Sequence, residues 1–149
     1  MALPEPIGVL AQIAPEDQPL LTTISLIAPA IAMGNRVILI PSESFPSVAL
    51  ELVQTFETSD IPPGVINIVT GDKDELSNQL VGHAEVDGVW CWADSDTVAK
   101  VETTSALDLK RLWIHSDGDR DWLDPNQGEG LEFLRNATEV KNIWTPYGD

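Results

Sequence analysis

Five short apolar runs, each separated from the next by a helix-length stretch, constrain this chain more than any other feature. They are residues 7–14 (IGVLAQIA), 37–40 (VILI), 65–69 (VINIV), 86–92 (VDGVWCW) and 112–115 (LWIH). Runs of this length that end at proline, glycine or charge are the pattern of buried strands. Between them, residues 20–33 are apolar on nearly every side. Their length predicts a buried helix, kinked or shifted at Pro29, with Gly34 and Asn35 as its C-cap. Residues 45–58 repeat apolar positions at Val48, Leu52, Val53 and Phe56, a helical stripe. Residues 74–81 predict a short helix with Leu76 and Leu80 inward, and 95–103 another. Strands alternating with helices through short loops imply an α/β fold, a parallel sheet of about five strands with helices on both faces. After Ser116 the pattern changes to a polar loop over 117–130, a short helix over 131–137 and a final strand over 140–144.

Composition narrows the function classes. With 24 acidic against 8 basic residues the net charge is −16, the wrong sign for a nucleic-acid partner. The apolar content of 43% argues against disorder. The longest apolar stretch falls short of the ~20 residues that cross a bilayer, and no secretory leader is visible before Pro4 and Pro6. The single cysteine, Cys91, fits a reducing compartment, so a cytoplasmic protein without membrane association is expected. A ligand at the carboxyl ends of the strands would suit a parallel sheet, but the glycine fingerprint of a dinucleotide site is absent.

In order and spacing, these segments resemble the aldehyde dehydrogenase superfamily. Pro6-Ile7-Gly8-Val9 with Ile13-Ala14-Pro15 looks like that family's first cofactor-domain strand, and Ile27-Ala28-Pro29-Ala30 with Gly34-Asn35 like its first helix and cap. Val37 to Glu43 (VILIPSE) and Pro62 to Gly71 (PPGVINIVTG) look like its second and third strands and their turns. The resemblance implies a Rossmann-like sheet in a protein that uses NAD or NADP.

It also places the departures at the chemistry. The family's asparagine that donates to the oxyanion is Asp17 here, and an ionised carboxylate only accepts. The lysine that holds the adenine ribose is Ile40, which has no donor, and only Glu43 keeps its family identity at that site. The turn that leads into a helix near the pyrophosphate aligns loosely with Trp92-Ala93-Asp94-Ser95, and a carboxylate at Asp94 is the wrong sign for that ligand. The catalytic glutamate position is His115, and no cysteine follows it. Thr138-Glu139-Val140-Lys141-Asn142 resembles the family's C-terminal oligomerisation strand.

The resemblance therefore implies a degenerate C-terminal copy of a two-part aldehyde dehydrogenase, lacking the catalytic domain. Residues 1–116 would form the cofactor-domain-like sheet, 117–130 an acidic linker, and 131–149 the oligomerisation tail. No catalytic residue is assigned (Asp17 and His115 are degenerate), and no activity is expected of this chain alone. The cofactor positions Pro41, Ser42, Glu43, Asp94 and Ser95 are vestigial at most, so no cofactor is expected here, although NAD or NADP is expected for the parent protein. The partner would be another aldehyde dehydrogenase-like domain or subunit in an oligomer, contacted through Val140, Ile143 and a buried Trp144 anchor, with the acidic loop as tether. The alternative is an NAD(P)-binding half that retains cofactor affinity.

Three sharper readings rank below plain ones. Asp117, Asp119 and Asp121 have the spacing of a calcium loop, but Trp122 and Gly128 stand where glycine and glutamate belong, which favours a solvated acidic loop and no metal. Cys91 lies inside an apolar strand without a basic neighbour in sequence, the setting of an inert thiol. The five tryptophans point first to core and interface packing.

Overall fold

A computed structural model describes residues 1–145. Its centre is a parallel sheet of β2 (Val9–Ile13), β3 (Arg36–Ile40), β4 (Ile66–Ile68), β5 (Gly88–Ala93) and β6 (Arg111–Ser116), in the order β4-β3-β2-β5-β6. These are the five runs expected from sequence. Their side chains alternate between two apolar layers, as a pleated strand requires. Leu10, Val37, Leu39, Trp90 and Trp92 face one side, where they meet Leu26, Ile27 and Ala30 of α1 (Pro19–Ala32), Phe56 of α2 (Pro46–Thr58) and Phe133 of α6 (Leu131–Asn136). Ala11, Ile13, Ile40, Val89 and Cys91 face the other, against Val81 of α3 (Lys73–Val81) and Val101 of α4 (Ser95–Ser105), with Leu76 and Leu80 packed alongside. Helix α1 runs through Pro29 rather than breaking there.

A second, two-stranded sheet stands apart from this body. β1 (Ala2–Pro6) pairs antiparallel with β7 (Thr138–Asn142), from Ala2 opposite Asn142 to Pro6 opposite Thr138. The sequence reading had no β1, because Pro4, Glu5 and Pro6 break any apolar alternation. Proline is tolerated on an edge strand, where a missing N–H leaves no ladder partner unsatisfied. Asn35, only 2% exposed, ties the base of this ribbon to the body. Its amide donates to the carbonyls of Ala30 and Ala137, and its oxygen accepts from the N–H of Gly8.

The acidic segment expected as a tether is packed instead. Trp122 is 6% exposed and belongs to the same apolar layer as Trp90 and Trp92. The short α5 (Pro125–Gly128), capped by Asp124, folds back against it. Any side chain at Gly128 would place its Cβ 2.5 Å from the Trp122 carbonyl oxygen, so only glycine allows this approach. One aromatic residue outweighs its acidic neighbours, because burying a tryptophan removes far more apolar area from water than any other residue of the segment.

Candidate functional site

The carboxyl ends of β2, β3 and β5 open onto a cleft of about 610 Å³, lined by Glu16, Glu43, Ser44, Asp72, Lys73, Asp74, Asp94, Thr97 and Asp117 among others. Three helices point their N-termini at or near it, and N-terminal amides are the usual seat of a phosphate. Here the chain's own carboxylates cap two of these helices, α3 and α4, and a third carboxylate holds the turn before α2. Asp94 caps α4, accepting from the N–H groups of Asp96 and Thr97 at 2.9 and 3.0 Å. Asp72 caps α3, accepting from the N–H of Glu75 at 2.8 Å. Glu16 reaches from the loop after β2 to the turn before α2. It accepts from Ser42 Oγ at 2.7 Å and from the N–H groups of Glu43 and Ser44, both at 3.0 Å. Lys73 Nζ closes the set at 2.6 Å from Glu16.

Electrostatics follow this geometry. Burial pushes the Glu16 carboxyl upward, but the Lys73 ammonium and the donors from Ser44, Ser42 and Glu43 outweigh it and hold the group at about 2. Asp94 is held below its ordinary value by the Thr97 hydrogen bonds first. Asp117 is raised, chiefly by burial. Among the described residues, Lys73 is the one cation lining the cleft. Charges of one sign a few ångström apart repel by about 1 kcal/mol in water and about 4 at an effective dielectric of 20, so an added phosphate is opposed.

The residues singled out from sequence fall in three places. Ser42, Glu43 and Asp94 meet at or beside the cleft. Pro41 lines an adjoining recess of about 330 Å³ with Ile40, Ser42, Thr70 and Gly71, and Ser95 is the exposed first residue of α4. Asp17 borders a smaller pocket of about 190 Å³ with Trp92, Arg120 and Trp122. His115 lies behind this, stacked on Trp92 with ring centroids 5.4 Å apart and planes 16° apart. Its Nε2 is buried without a partner, and burial, then the Arg120 charge, lowers its pKa. It packs against the rings of Trp92 and Trp113 and does not line the cleft. Cys91 is fully buried on the opposite layer, its thiol raised to about 12 by burial first.

Val140 lies in β7, and Ile143 and Trp144 lie just past its end at Asn142 rather than inside the strand expected over 140–144; they are 67%, 40% and 90% exposed. The sequence reading missed Lys73 and Arg120. Arg120 lies with its guanidinium carbon 5.1–5.8 Å from the ring centres of Trp92, Trp113, Trp122 and Phe133. It donates to the Gln127 carbonyl and to Glu132. An acidic loop gave no signal that its one arginine would sit in a box of rings.

Two further observations bound the chemistry. Among the described residues, no three His, Cys, Asp or Glu side chains are grouped to hold a metal ion. No described helix is long and apolar enough to cross a membrane.

Comparisons with known proteins agree with the topology. The aldehyde dehydrogenase family model matches residues 1–122. The chain is 38% identical over 120 residues to the NADP/NAD-dependent aldehyde dehydrogenase PuuC of Escherichia coli, covering 79% of this chain and 24% of that one. It is 37% identical over 141 residues to betaine aldehyde dehydrogenase of Vibrio vulnificus, covering 95% and 29%. A mutant of aldehyde dehydrogenase C from Pseudomonas syringae, solved with NAD+ and octanal, superposes with a TM-score of 0.76 at 34% identity, over 80% of this chain and 24% of that one. This chain spans about a quarter of the length of these relatives. Fold, strand order and sequence together make it a member of the aldehyde dehydrogenase family.

Proposed function

We propose that this chain is a non-catalytic aldehyde dehydrogenase-like domain, a structural and oligomerisation module of a larger NAD(P)-dependent aldehyde oxidoreductase in the cytoplasm. Its partner is a second aldehyde dehydrogenase-like domain or subunit, and the docking element is the β1–β7 ribbon. One observation carries this reading. The ribbon is a two-stranded sheet, alone among the described residues, that presents Leu3, Val140, Ile143 and Trp144 to solvent. Two strands by themselves are at best marginally stable in water, and unpaired edges with apolar side chains invite another chain. Trp144 is the anchor, in keeping with the prominence of tryptophan among residues that dominate binding energy.

The groups available support the non-catalytic reading. A thiol held at about 12 supplies almost no thiolate at neutral pH. His115 is stacked on Trp92 and does not line the cleft, and an ionised Asp17 cannot donate to an oxyanion. The NAD(P) that the family uses does not fit the cleft as it stands, because the helix-terminal amides around it are already bonded to carboxylates. The alternative, a domain that retains cofactor affinity, is supported by Glu43 and the recess beside Pro41.

Deleting residues 137–149, and separately making Trp144→Ala, tests the docking role by light-scattering mass of the full-length protein. Both changes are expected to break the assembly while leaving the circular dichroism of the sheet intact. Unchanged assembly in both would reduce the tail to a cap on its own domain. NAD titrated calorimetrically separates the alternative: micromolar affinity supports it, and a Kd above roughly 1 mM opposes it.

A further inference from the structure

We propose that Glu16 is a built-in competitor that fills a four-donor oxyanion seat and thereby closes the cleft to phosphate-bearing ligands. The seat consists of Ser42 Oγ, the N–H groups of Glu43 and Ser44, and Lys73 Nζ. Its donors come from two connections of the sheet, those after β3 and β4, and the occupant from a third, after β2. Two donors converge on each carboxylate oxygen, Ser42 and Ser44 on Oε2, Glu43 and Lys73 on Oε1. Ser42 is 1% exposed and the Lys73 side chain 13%, so these donors are desolvated and would be costly to leave unpaired. Ser42 Oγ also accepts from the N–H of Phe45 at 3.2 Å, which fixes the hydroxyl in the turn before α2.

The donors form a built seat, and the chemistry they select is a planar or tetrahedral oxyanion. A tethered carboxylate acts at an effective concentration in the millimolar range or above. An outside phosphate therefore meets a seat that is already filled, as well as Glu43, Asp94 and Asp117 in the same cleft. This inference concerns the cleft alone and does not depend on what the ribbon binds.

The test removes the occupant. The variants Glu16→Ala and Glu16→Gln, with the wild type and a Glu16→Ala/Lys73→Ala double variant, are titrated with inorganic phosphate and with formate. Phosphate NMR line width and thermal midpoint are read together. Glu16→Ala is expected to bind phosphate with a Kd of roughly 1–10 mM and to gain several degrees in thermal midpoint from either anion. The wild type should show no phosphate line broadening, and the double variant should lose at least about tenfold in affinity, or 1.4 kcal/mol. If Glu16→Ala fails to fold unaided, recovery of native circular dichroism in formate supports the seat. A folded Glu16→Ala that ignores both anions overturns the proposal, with Glu16→Gln, whose amide oxygen still fills the seat, as the occupied control. So does an equal response in the wild type, or a gain that survives loss of Lys73, since either marks a bulk salt effect.

Discussion

The carboxyl-end cleft and the β1–β7 ribbon treat their polar and apolar groups in opposite ways. In the cleft, the donors that could hold a ligand are paired within the chain: Glu16 fills the turn before α2, Asp72 caps α3 and Asp94 caps α4. On the ribbon, Val140 and Trp144 lie 67% and 90% exposed, and the Lys141–Glu5 ion pair that bridges the strands is solvent-screened and worth little. A surface whose bonding capacity is consumed internally gains little from a ligand. One that leaves edges and large apolar side chains unpaired gains from a partner. On the reading proposed above, the first region holds the domain together and the second joins it to a partner.

The largest expected effect sharpens the boundary between body and ribbon. Trp122→Ala removes a buried ring from the layer that holds Trp92 and Phe133 and should cost about 3–5 kcal/mol. Thermal unfolding followed by circular dichroism reads this; a loss below about 0.5 kcal/mol would restore the view of 117–130 as a free tether.

Next comes the latch. The folded pKa of Glu16 lies at about 2, below its ordinary value of 4.5. Its contribution is therefore complete above pH 4.5 and lost as pH falls from there toward 2. Because the Glu16 side chain is 41% exposed, screening reduces the effect to about 1–2 kcal/mol. Lys73→Ala should flatten the acid limb of stability measured by urea unfolding between pH 5 and 2.5. An unaltered limb would mean that the cleft is not held by this pair.

A smaller effect concerns Cys91. Its thiol, raised to about 12 and fully buried, should resist Ellman's reagent in the native state and react once urea unfolds the sheet. Stoichiometric native labelling would show that the layer beneath α3 and α4 opens readily.

Least of all, Trp144→Ala should change the stability of the isolated chain by less than about 0.5 kcal/mol, because an exposed ring has little packing to lose. A larger loss in chemical denaturation would make Trp144 part of the body.

The parallel sheet was legible because buried strands leave continuous apolar runs and helices leave periodic ones; β2 to β6 and α1 to α4 all carried such a signature. β1 carried none, since Pro4, Glu5 and Pro6 form a strand only when β7 is present to pair with them. The site was legible as a set of departures at Asp17, Asp94 and His115, but not as a network. Glu16 and its partner Lys73 lie 57 residues apart, a separation that no local pattern encodes. Arg120 and Trp122 were hidden for a related reason. A lone arginine and a lone aromatic residue in an acidic run have no periodicity, and only the facing rings of Trp92, Trp113 and Phe133 give them a place.

Amide hydrogen exchange, compared between the isolated chain and the assembled full-length protein, tests the contrast of cleft and ribbon most directly. The amides of Glu43, Ser44, Asp96 and Thr97 should be protected in both states and unchanged by millimolar NAD, because internal carboxylates already hold them. Amides of β1 and β7 should exchange rapidly in the isolated chain and become protected on assembly. The opposite pattern, with NAD protecting the cleft amides while the ribbon exchanges equally in both states, would contradict the account and make this chain a working cofactor domain.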